Sequence, residues 1–146
     1  MFLIEALVAI LIFSLGILGL VAMGATAVSS QSDAQYRTEA SSLADSIAGE
    51  IAVGVNRSDP VTKATSLAGF AHQPTPGACV FSGAATTEPG VAALLARAAA
   101  IMPGASNVNQ QIIVDPANFN RVEITLCWKT ASDSFWRRHT LVTYVN

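Results

Sequence analysis

The stretch FLIEALVAILIFSLGILGLVAMGATAVSS, residues 2–30, decides how the rest of the chain is read. No charged side chain occurs from Ala6 to Ser32. A helix needs about 20 apolar residues to cross a hydrocarbon core, and the run from Phe2 to Val28 exceeds that. It is also too long for the apolar part of a secretory signal. The basic flank and small-residue cleavage site of such a signal are missing, so a cleavable signal beginning at Met1 is a poor description, and any leader is expected to have been removed. Over the whole chain of 146 residues, 51% are apolar and only 12% are charged, with a formal net charge of −2. Neither the basic excess of a nucleic-acid binder nor the acidic excess of a solvating tail is present. Apolar surfaces are the expected partners.

The apolar block runs into Ser29, Ser30, Gln31, Ser32 and Asp33 without a Pro or a Gly pair, so the helix is expected to continue. Beyond it, Ala40, Leu43, Ala44, Ile47, Ile51 and Val55 recur every three or four residues, while Arg37, Glu39, Asp45 and Glu50 fall mostly elsewhere. Residues 2 to 54 would then form one helix of roughly 80 Å at about 1.5 Å per residue, against a usual helix length of about 11 residues. The chain divides accordingly into residues 1–28, an apolar half suited to a membrane or a filament core; residues 29–55, an amphipathic half; and residues 56–146, a small globular head.

Stop signals at Gly54 to Pro60 open that head, and Ser66 to Ala78, with Pro74, Pro76 and Gly77, reads as loop. Cys79, Val80 and Phe81 are a candidate strand. Thr87, Glu88 and Pro89 open a helix with proline in its first turn, striped by Val91, Leu94, Leu95, Ala98, Ile101 and Met102 and stopped by Pro103 and Gly104. Three strands are expected, at Gln111 to Val114, Arg121 to Lys129 and Trp136 to Val145, with turns at Asp115 to Asn120 and at Ser132 and Asp133. In the second strand Val122, Ile124, Leu126 and Trp128 alternate with Glu123, Thr125, Cys127 and Lys129, the pattern of a strand buried on one face. The fold class is therefore α+β, with the antiparallel sheet packed on the amphipathic half of the long helix.

Cys79 and Cys127 lack the short spacing of a metal or redox pair. With the head outside the cytoplasm, one disulfide is favoured over two buried thiols, and closing that loop is worth about 4 kcal/mol. Glu5 is the one ionisable side chain in the first 32 residues. A charge in a lipid-facing helix costs several kcal/mol unless it is paired or reaches the headgroups. Glu5 either sits in the interface of an ordinary anchor or neutralises the α-amine at Met1 of a neighbouring, staggered helix. The second arrangement would set the register between subunits.

The segment Phe2-Leu3-Ile4-Glu5-Ala6-Leu7-Val8-Ala9-Ile10-Leu11 resembles the N-terminal signature of mature type IV pilins. Ile12-Phe13-Ser14-Leu15-Gly16-Ile17-Leu18-Gly19-Leu20, Gln35-Tyr36-Arg37 with Leu43-Ala44, and the Leu94 to Gly104 helix ending in Met102-Pro103-Gly104 are similar to the PilV-type minor pilins. The resemblance implies a prepilin peptidase that removes a short leader, methylation of the new N-terminus at Met1, and guidance of assembly by Glu5. It implies an inner-membrane location before assembly and a cell-surface pilus afterwards, with the head periplasmic or extracellular. The partners would be a major pilin, other minor pilins and the inner-membrane assembly platform. Such a protein primes filament assembly near the tip, catalyses nothing and needs no cofactor. Two departures stand out: Met1 precedes the Phe that family members commonly have first, and Ala22 replaces a proline of many major pilins.

Other residues have rival readings. Gly16, Gly19 and Ala22 put small side chains on neighbouring turns, which permits close helix packing but is also common in membrane helices. His72 and His139 have no metal-spaced companions and read as packing or surface residues. Lys129, Arg137 and Arg138 are a small basic group that would suit DNA or an anionic surface, or simply a solvated hairpin. Trp128 and Trp136 read as packing residues, and Asn56-Arg57-Ser58 matches a glycosylation acceptor pattern. The rival functions are a minor pseudopilin of a type II secretion system, the principal subunit of a filament, and a membrane-anchored periplasmic enzyme or sensor. For the last, the sequence offers an anchor without a catalytic constellation.

Overall fold

The computed structural model describes residues 2–146, so Met1 lies outside the described residues. The chain is α+β. Helix α1 spans Phe2–Gly54, helix α2 Pro60–Gly69 and helix α3 Pro89–Ile101. After a single 3-10 turn at Asn107–Asn109 come strands β1 (Gln110–Asp115), β2 (Arg121–Trp128) and β3 (Arg137–Tyr144), in one antiparallel sheet of order β1-β2-β3. The chain divides into two compact units, one ending at Tyr36 and the other covering Arg37–Asn146.

In the first unit every side chain from Phe2 to Gln31 is exposed. In the second, the three- and four-residue spacing does what the sequence predicts: Ala40, Leu43, Ala44, Ile47 and Ile51 are the buried face of α1. They share a core with Leu67, Phe70, Val91, Leu95, Ala98 and, from the sheet, Ile112, Val122, Ile124, Leu126 and Trp128. Burying one such side chain is worth about 1.5–3 kcal/mol. Register between β1 and β2 pairs Ile112 with Ile124 and Val114 with Val122, which keeps their apolar side chains on one face.

Three local expectations need correction. Residues 60–69, partly read as loop, form α2. Asp59 caps it, its side chain accepting from the Val61 and Thr62 amides at 3.0 and 2.9 Å, and Pro60 fills the first turn where a missing N–H does no harm. Cys79 to Phe81 do not form a strand. Cys79 has φ 63°, which no strand tolerates, and the segment is held instead by the Phe81 amide to the Val108 carbonyl at 2.8 Å.

The third correction concerns β2, whose C-terminal half is buried on both faces, because Thr125 and Cys127 are covered as well as Leu126 and Trp128. The cover is the 72–82 segment. His72 bridges to Ile112 on the outer edge of β1, and the Gln111 amide donates to the Gln73 and Thr75 carbonyls at 2.9 and 3.1 Å. The disulfide then pins Cys79 to Cys127 beneath Phe81 and Trp136. The alternation in the sequence identifies the main core face, but the second layer is supplied by residues nearly 50 positions away in the chain.

Specific residues also shape the chain just past the ends of α3 and α1. Gly104, just past α3, has φ 64°, and a Cβ there would meet the Lys129 carbonyl oxygen at 2.5 Å, so only glycine fits. Arg57 closes α1, donating to the carbonyls of Ala52 at 2.6 Å and Val55 at 3.1 Å, while its Nε donates to the Asn146 carbonyl at 2.8 Å. One side chain thus satisfies carbonyls at the end of the helix and ties in the end of the sheet.

Candidate assembly helix

The candidate site is the apolar half of α1 and its one charge. Glu5 lies in the first turn, where a carboxylate faces the positive end of the helix dipole. Its side chain is exposed and has no partner among the described residues. Met1, the expected methylation position and the source of the amine that would pair with Glu5, falls outside them.

Downstream of Glu5, three hydroxyls of the helix bond back to its own carbonyls. The Ser14 hydroxyl donates back to the Ile10 and Leu11 carbonyls at 2.8 and 3.0 Å, and Thr26 does the same to Ala22 at 3.2 Å. Ser32 returns to Val28 at 3.1 Å. An apolar medium demands this arrangement, since nothing in it can bond a free hydroxyl. The helix is long and apolar enough to cross a membrane, and none of its most apolar window is buried by the chain itself.

Gly16 and Gly19 have open space where a Cβ would stand, with nothing within 4 Å. No contact inside the chain therefore requires glycine at either position. With Ala22, three residues on, they leave a band of small side chains around three successive turns. Helix propensity argues against glycine there by about 1 kcal/mol each relative to alanine.

The remaining sequence candidates lie in the head. Cys79 and Cys127 are joined, with Cα atoms 5.7 Å apart, and no free cysteine remains. His72 is buried: its Nδ1 accepts from the Thr86 amide at 3.3 Å, which leaves Nε2 as the donor to the Asn107 carbonyl at 3.0 Å. That is a packing role. His139 lines an open groove of about 750 Å³ with Arg37, Asp45 and hydroxyl side chains of α1. Among the described residues no group of three or more His, Cys, Asp or Glu side chains converges for a metal.

Of the basic group, Arg137 is engaged with Asp133, at 2.9 Å from Nη2 to Oδ1 and 3.1 Å from Nε to Oδ2. Those bonds, then one from Thr130, hold the Asp133 carboxyl far below the usual carboxylate range. The side-chain hydroxyl of Thr62, then its backbone amide, lower Asp59 in the same way. Lys129 and Arg138 remain as the basic residues for an external contact. Trp128 is fully buried, and Trp136 packs against the disulfide cluster.

Sequence reasoning passed over Arg57 as a structural residue, although a basic side chain just after a helix end is the signal for it. It also passed over Asn109, whose amide donates to the Cys79 carbonyl at 2.7 Å and positions the disulfide loop. Nothing local in the sequence points to that bond. Comparison with known proteins finds no matching family model, no matching curated protein and no matching solved structure.

Proposed function

We propose that the chain is a structural subunit of a type IV pilus, a PilV-type minor pilin that primes assembly at or near the tip. It waits in the inner membrane and enters the filament through α1, while the head remains outside the membrane. The observation that carries this reading is the pairing of one apolar helix half, exposed along its whole length, with a head whose core is complete without it. An ordinary anchor would serve with any apolar sequence. A glutamate at position 5 followed by a charge-free run asks for a partner that brings a positive charge into apolar surroundings. The α-amine at Met1 of a neighbouring subunit, staggered along the axis, is such a partner.

The test is the amount of this subunit in sheared filaments relative to the membrane fraction. Glu5→Ala and Glu5→Gln should both leave the membrane pool intact and deplete the filament pool, because the neighbour's buried amine is left unpaired, at about 3–5 kcal/mol. Gln preserves the shape of Glu without its charge, so it separates pairing from packing. Equal ratios for wild type and both variants would leave an interfacial glutamate in a simple anchor.

A further inference from the structure

The two edges of the three-stranded sheet are finished differently. The outer edge of β1 is occupied: His72 and Ile112 exchange backbone bonds at 3.0 and 2.9 Å, and the Gln111 side chain holds the same segment. The outer edge of β3 has no such cover. Among the described residues, no segment other than β2 makes a backbone bond to residues 137–144.

Which groups of β3 face outward follows from the alternation of an antiparallel ladder. Because Ile112 directs its N–H and C=O at His72, its partner Ile124 turns the other way, toward Leu141. At the far end the Val145 amide donates to the Asn120 carbonyl at 3.2 Å, which keeps the same phase. His139, Leu141 and Thr143 are therefore bonded to β2, and Arg138, Thr140, Val142 and Tyr144 turn their backbone groups away from it. The same four residues are the exposed ones of the strand.

Proteins blunt an open edge with a short strand, a bulge, a proline or a well-placed charge, because unpaired N–H and C=O groups at strand spacing are a template for another strand. None of the first three is found in β3. Its eight residues pair one to one with β2, in unbroken register and without proline or glycine. Its two arginines stand at its first two positions, and from Thr140 to Tyr144 nothing guards the edge. Arg137 is engaged with Asp133, whereas Arg138 has no acidic partner among the described residues. On the side of the sheet that carries His139, the edge borders the open groove lined by Thr38, Ser41 and Ser42 of α1.

We propose that the outer edge of β3 is the docking site for an extended segment of a different protein, which pairs antiparallel with Arg138–Tyr144 as a fourth strand. Its outward side chains lie level with those of β3: apolar ones beside Tyr144 and Val142, a hydroxyl beside Thr140 and a carboxylate beside Arg138. The alternate side chains face the groove, whose hydroxyl lining suits small polar groups. A second copy is the poorer occupant, since β3 carries Arg137, Arg138 and His139 and no carboxylate to set against Arg138. One strand fills the one open edge, so the contact does not repeat. It requires only the folded head and goes beyond the role proposed for α1.

The probe is the peptide Val-Thr-Ile-Thr-Thr-Ser-Glu, blocked at both ends and added to the full chain in detergent micelles, with amide hydrogen exchange read residue by residue. Without peptide, the amides of Thr140 and Val142 should exchange quickly while those of Leu141 and Thr143 are protected. Peptide should slow Thr140 and Val142 several-fold and leave Ile112, on the covered edge, as it was. Val142→Pro removes one outward N–H and no bond to β2, so the head should melt as before and the peptide should no longer protect Thr140. Arg138→Glu, at an exposed side chain, should weaken the peptide several-fold, and a peptide ending in Lys instead of Glu should restore binding. No protection by the peptide overturns the proposal, as does protection that survives Val142→Pro or ignores the charge reversal. Protection of Thr140 and Val142 without peptide also overturns it, and its loss on dilution would assign the edge to a second copy.

Discussion

Residues 2–31 and the unit formed by Arg37–Asn146 handle their apolar side chains in opposite ways. In the first, Leu, Ile, Val and Phe face outward at every position around the helix, and the hydroxyls of Ser14 and Thr26 return to backbone carbonyls. In the second, the same residue types converge on a core from three helices and a sheet. The contrast teaches where each part's stability comes from. The head derives its own from burial within the chain, whereas the N-terminal half of α1 obtains nothing until something outside the chain surrounds it. Substitutions should therefore be felt in different assays depending on which side of that division they fall.

The sharpest separation should come from the disulfide. Cys79→Ala with Cys127→Ala should destabilise the head by about 4 kcal/mol, from the loop-closure entropy restored to the unfolded chain, with no effect on membrane insertion of α1. Thermal unfolding of the full chain in detergent, followed by near-ultraviolet dichroism, measures the first, and fractionation measures the second. A head that melts unchanged would mean that the 72–82 layer is held by its hydrogen bonds alone.

Next in size is a matched pair on one helix. Ile47→Ala removes a fully buried side chain and should cost about 2–5 kcal/mol in the same melt, while Ile12→Ala, at an exposed position, should leave the melting temperature where it was. Similar shifts for both would break the division between the regions.

Arg57→Gln should cost less, about 1–2 kcal/mol, since it frees carbonyls at a helix end that water can partly satisfy. Hydrogen exchange should locate the loss at the C-terminal turn of α1 and at the end of β3. Exchange unchanged at Ala52 to Val55 would refute the cap.

The smallest effect concerns acid. The carboxyl of Asp133 is depressed in the folded head, so its contribution is fully present above the unfolded value of about 3.9 and is lost as pH falls toward the lower folded value. Stability should be flat with respect to this group from pH 7 to about 5 and should decline below about 4. In Asp133→Asn that part of the decline should be absent, which acid titration of the melting temperature tests directly.

Much of this architecture was readable because periodicity is strong where elements are long. The spacing of Leu43, Ile47 and Ile51 predicts the buried face of α1, Pro89 predicts the start of α3, and the alternation from Val122 to Trp128 predicts the core face of β2. Helix α2 was missed because ten polar-rich residues carry little periodicity, although Asp59-Pro60 is a start signal. Cys79 to Phe81 look like a strand because apolar composition does not report a positive φ. The second layer on β2 depends on Gln73, Thr75 and Cys79 meeting Gln111 and Cys127, and pairings across such distances leave no local mark. At the candidate site the position of Glu5 is legible and its partner is not, since that interaction would lie between chains.

The inward-turned hydroxyls of Ser14 and Thr26 make the first half of α1 portable. Hydroxyls bonded in this way ask the same of lipid tails as of another apolar helix, so moving Ser14 and Thr26 from one to the other breaks neither bond. On the proposed filament reading, Glu5 is the residue that would distinguish the two destinations. Transfer would then be decided by a single ion pair, and the remaining surface would act as a lubricant.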